Sequence, residues 1–133
     1  MKRKLIIFTV SLGLAGTGTA LAHHSFAAEF DGNKPIRIEG SLSKVEWMNP
    51  HARFYVDVKD EGGKVTNWEF ELGSPYGLMR QGWTRNSLKV GDMISVEGYM
   101  AKDGSKLANA RTVKLSDGRK VFAGSTTDGG PTK

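Results

Sequence analysis

Between residues 36 and 115 the apolar side chains recur at every second position, in short runs separated by turn-forming residues. Ile36, Ile38, Gly40 and Leu42 share one phase. Phe54, Val56 and Val58 alternate with Arg53, Tyr55, Asp57 and Lys59. Trp68, Phe70 and Leu72 alternate with Asn67, Glu69 and Glu71, and Ile94, Val96 and Gly98 with Ser95, Glu97 and Tyr99. A period of two is the side-chain repeat of an extended strand, whose successive residues face opposite sides of a sheet. Within the first run the phase slips, and Val45 and Trp47 carry the apolar face onward. A slip of this kind predicts a β-bulge in one long, bent strand.

The turns and one change of period order these strands. Glu61-Gly62-Gly63-Lys64 and Lys102-Asp103-Gly104-Ser105 read as hairpin turns. After the third strand Ser74 suits a helix cap, Pro75 the first helical position and Gly82 the end, which predicts two turns over residues 75–81. A fourth strand follows Lys89-Val90-Gly91-Asp92, a fifth covers residues 107–115, and a short last one fits residues 120–122. Three strands, a helix and two strands, with a long bent first strand, match a mainly β fold: a small five-stranded OB-like barrel with one short helix between strands 3 and 4. A small open β-sandwich uses the same hairpins. This domain is expected over residues 36–123. Residues 23–35 form a lead-in anchored by Phe26 and Phe30, and the Gly-, Ser- and Thr-rich tail 124–133 reads as disordered.

The first 22 residues read as an address. A cationic head, Lys2-Arg3-Lys4, precedes an apolar stretch and the small-residue exit Ala20-Leu21-Ala22. That is the pattern of a cleaved secretory signal, and Gly16 and Gly18 interrupt it before the roughly 20 apolar residues of a membrane span. Cleavage after Ala22 gives a periplasmic or secreted protein, with no membrane attachment after processing. Of 19 basic residues three leave with this segment, whereas all 14 acidic residues stay, so the mature charge is +2. Export and this small surplus argue against a nucleic-acid partner. There is no cysteine, which removes disulfides, thiolate metal sites and thiol nucleophiles.

Cleavage after Ala22 also creates the most distinctive chemistry in the chain. An N-terminal histidine offers its α-amine and its ring Nδ1 to the same metal, and both groups release protons near neutrality. A further imidazole completes a nitrogen-rich set suited to Cu(II). The three histidines are His23, His24 and His51, the last in Trp47-Met48-Asn49-Pro50-His51 after the first strand. Loops of this position border the ligand face of OB barrels. Met48 offers a thioether to reduced copper, or fills the core. The candidate metal set is therefore His23, His24, His51 and Met48, with copper the leading ligand.

The alternative is a metal-free binding module for a sugar, a peptide or another small envelope ligand. Tyr76 and Trp83 flank the helix, with Arg80 and Arg85 nearby, and these four residues make the candidate surface. No reaction is expected. The carboxylates Asp57, Glu69, Glu71 and Glu97 fall on outward strand phases, and no serine has a matched histidine and acid. The motifs His23-His24-Ser25-Phe26, Trp47-Met48-Asn49-Pro50-His51, Gly73-Ser74-Pro75 and Gly82-Trp83 resemble those of a domain-of-unknown-function family of exported bacterial proteins. The resemblance implies a small secreted β-rich domain with no assigned reaction and no catalytic residues to carry over.

Overall fold

In the computed structural model, which describes residues 25–132, the alternating runs become strands in the expected order. They are β1 (Phe30–Glu46), β2 (Arg53–Lys59), β3 (Val65–Glu71), β4 (Met93–Ala101), β5 (Leu107–Lys114) and β6 (Lys120–Phe122). A four-residue helix α1 (Phe26–Glu29) precedes β1, and α2 (Pro75–Arg80) lies between β3 and β4. β1 pairs with both β2 and β4, β2 with β3, and β4 with β5, all antiparallel. A short parallel ladder, Glu69–Leu107, Phe70–Ala108 and Glu71–Asn109, joins β3 to β5. Five strands thereby close into a ring, β1-β2-β3-β5-β4, as expected for an OB-like order, and β6 extends β5 on its free edge.

The inward phase of each run fills the ring. Leu42, Phe54, Val56, Phe70, Val96 and Val113 are all but inaccessible and form one core with Trp68, Leu78, Trp83 and Leu88. The phase slip in the first strand is a register shift between Leu42 and Lys44 against β2. Gly40 lies two residues before it, where the backbone of β2 crosses closely: a Cβ there would collide with the Asp57 carbonyl and meet Val56 Cγ1 at 2.7 Å. The helix is capped as its sequence predicts. Ser74 Oγ accepts from the Gly77 N–H at 3.1 Å, Pro75 begins the helix, and Gly82 takes φ +92°.

Two expectations about the ends of the domain change. β1 begins at Phe30 rather than near Ile36, because Phe26, Phe30 and Ala101 form a second small apolar cluster against Tyr99 and Leu107. The turn-like residues 31–34 are absorbed as an irregularity between the Phe30–Ala101 and Pro35–Tyr99 pairs. The segment expected to be a disordered tail is packed instead. Arg111, buried on β5, pairs with Asp128 at 2.9 Å and donates to the Ser125 carbonyl at 3.1 Å. Composition could not reveal this, since the partner is a cation that the strand phase alone does not place inside.

Candidate functional site

Four elements and two loops converge at one end of the ring around a cavity of about 770 Å³. The β1–β2 loop brings Met48, Asn49, Pro50 and His51, and the end of β1 adds Glu46. Arg53 opens β2 and Glu71 closes β3. Ala28 and Glu29 come from α1, and Lys102 and Asp103 from the β4–β5 hairpin. The Asn49–Pro50 peptide is cis.

At the centre of this wall His51 Nδ1 lies 2.9 Å from Glu71 Oε1, with the imidazole 22% and the carboxyl 10% exposed. Arg53 Nη2 stands 3.5 Å from the other oxygen of Glu71, while its Nη1 donates to Glu69. Burial pushes the Glu71 carboxyl above its ordinary value, and Glu29 adds to this, whereas His51 and Arg53 pull it back. In the tautomer that carries its proton on Nδ1, His51 donates to Glu71, whose other oxygen faces the Arg53 guanidinium. The Nε2 lone pair of the ring is then the one available to a ligand. Beside this pair the Glu46 carboxyl is held below the usual range, first by its hydrogen bond to Lys44 and then by Tyr55.

The fold distributes the sequence candidates unequally. His51 and Met48 share the cavity, and Met48 is 54% exposed, so it is not a core filler. His23 and His24 lie outside the described residues. The second set is divided. Tyr76, 67% exposed, and Arg80, whose guanidinium carbon is 5.9 Å from the Tyr76 ring, line a separate cavity with Gln81 and residues 124–127. Trp83, expected on an exposed patch, is instead a core residue, 3% exposed, whose Nε1–H donates to the Phe122 carbonyl at 2.6 Å. Its side chain belongs to the same core cluster as Leu72, Leu78 and Leu88. Arg85 borders a narrow apolar crevice near Val45, Trp47 and Leu88, apart from Tyr76 and Arg80.

Two site residues escaped the pattern of the sequence. Glu71 occupies an outward strand phase, which predicts a solvated face, yet it is among the buried polar residues. Its phase is correct. The cover comes from the β1–β2 loop and from α1, elements that a strand pattern does not contain. Arg53 has the same origin, because the β2–β3 register sets Arg53 opposite Glu71. The register is centred on Gly62, with Arg53 and Glu71 each nine residues from it.

Among the described residues no three His, Asp or Glu side chains are grouped so as to hold a metal by themselves. No curated protein matches the chain. A family model does match, over residues 12–110, and by that span the chain belongs to DUF6152, a family of unknown function.

Proposed function

We propose that this is an exported periplasmic ligand-binding protein whose ligand is copper, held between a processed N-terminal histidine and the wall of the His51 cavity. The observation that carries the reading is the His51–Glu71 pair. An imidazole that gives its Nδ1–H to a carboxylate is oriented, fixed in one tautomer and made a better donor at Nε2, the usual outer-shell arrangement of a metal-binding histidine. Met48 on the same wall adds a thioether for the reduced ion.

His51 alone is one ligand, so the remaining donors must come from outside the described residues. The α-amine and ring of His23 supply two, and His24 stands next to them in the chain. The chain from His23 to Phe26, where α1 begins, spans at most about 10 Å, and Ala28 of the same helix lines the cavity. Cleavage after Ala22 is part of the proposal, because before it the His23 nitrogen is an amide. The mass of the mature protein isolated from the periplasm tests this step directly.

Binding is tested by titrating Cu(II) into the chain that begins at His23 and into the same chain carrying one extra glycine before it. The expected result is one Cu(II) with nitrogen ligation in the first, and at least tenfold weaker binding in the second and in His51→Ala. Equal affinity with the extra residue would overturn the amine chelate. The metal-free alternative now rests on Tyr76 and Arg80, which remain together at an open cavity. Sugar or peptide binding that survives loss of all three histidines but not Tyr76→Ala would favour it.

A further inference from the structure

A buried guanidinium links the two ends of the domain. Arg111, 1% exposed, has its charge met by Asp128 alone among the described residues. Leaving such a cation unpaired is costly, so Asp128 is held firmly although its neighbours are glycine, serine and threonine. The same guanidinium lies 4.8 Å from the centre of the Phe26 ring. The backbone of this tail segment also grips α1 directly, since the Phe26 N–H donates to the Asp128 carbonyl at 2.9 Å. The packing leaves no room for side chains: a Cβ on Gly130 would collide with Arg111 Nη2 and reach Phe26 Cδ2 at 2.7 Å, and one on Gly124 would meet Arg111 Nη1 at 2.5 Å.

Phe26 follows His24 by two residues, and Ala28 and Glu29, two and three residues further on, line the His51 cavity. Phe26 is thus held just where the described fold begins. We propose that residues 124–130 form a clasp, built on the Arg111–Asp128 pair, that orders the N-terminal segment beside the cavity and so sets the affinity of the site. Asp128 is a positioning residue in this arrangement, and touches no ligand. The inference rests on the copper reading above. Its physical basis is preorganisation: a donor already held near its place loses less freedom on binding.

The test uses the chain that begins at His23 and two variants, Asp128→Asn, which removes the charge, and Gly130→Ala, which displaces the clasp and leaves the charges in place. Amide hydrogen exchange at Phe26 and Ala28 is compared with that at Phe54 and Val96, and Cu(II) affinity is measured on the same samples. Expected are at least tenfold faster exchange at Phe26 and Ala28, unchanged exchange at Phe54 and Val96, and a Kd for Cu(II) raised about tenfold. Unchanged exchange at Phe26 would overturn the clasp. Faster exchange with unaltered copper affinity would overturn its role in the site. Failure of the parent chain itself to bind Cu(II) would overturn the copper reading, and faster exchange in the variants would then still support the ordering role.

Discussion

Replacing Glu71 separates the orientation of His51 from the stability of the domain. In Glu71→Gln the side-chain oxygen still reaches the His51 Nδ1–H, now 2.9 Å from a carboxylate oxygen, but as a neutral acceptor. A hydrogen bond to a charged group contributes about 1.5–3 kcal/mol and a neutral one about 0.5–1.5 kcal/mol, so the change costs about 1–1.5 kcal/mol of orientation. At 1.4 kcal/mol per decade, the Kd for Cu(II) should rise roughly five- to tenfold. Glu71→Leu removes the acceptor altogether and should cost roughly 10- to 100-fold, the range for losing an outer-shell partner. Fold stability should move little in the glutamine variant, because burial already disfavours the charge that is being removed. Competition against a chromophoric chelator gives the affinities, and urea unfolding gives the stability control. Long-range nitrogen–proton NMR on the metal-free protein reads the His51 tautomer independently of any metal. A proton found on Nε2, or a leucine variant that binds copper as the parent does, would refute the reasoning.

Three further outcomes follow from the packing. Trp83→Ala empties a site that is 3% exposed and orphans the Phe122 carbonyl, so it should destabilise the domain by about 3–5 kcal/mol in urea unfolding. A loss below about 1 kcal/mol would instead return Trp83 to the surface that its sequence context suggested. Gly40→Ala forces a Cβ against the Asp57 carbonyl where β1 is paired on both sides, and should cost about 1–3 kcal/mol or prevent folding. Met48→Leu, at a side chain 54% exposed, should leave stability within about 0.5 kcal/mol while weakening Cu(I) binding more than Cu(II). Equal losses for the two oxidation states would remove Met48 from the site.

Much of this fold is legible from local pattern. The alternation of Phe54, Val56 and Val58, the turn at Gly62-Gly63 and the cap at Ser74-Pro75 each act within a few residues, so period and composition suffice to place β2, β3 and α2. The slip between Leu42 and Lys44 is readable for the same reason, because a bulge must shift the apolar phase of its own strand. His51 and Met48 could be singled out by residue type and by their position after the first strand.

What they face could not. Glu71 is twenty residues from His51 and sits on a phase that in an open hairpin would meet water. Closure of the ring, with α1 and the β1–β2 loop laid over that end, turns the same position into a buried one. Trp83 illustrates the converse, since an aromatic beside a short helix lies in the core, with its indole N–H met by the Phe122 carbonyl of β6. The tail from residue 124 has the composition of a free segment, and Arg111 recruits it through a charge that burial leaves no cheaper way to satisfy. Sequence thus determined the elements and the chemistry of the side chains, which depend on neighbours along the chain. Tertiary structure decided which groups lose water, because desolvation is set by whatever covers a residue, and here the cover comes from both ends of the domain.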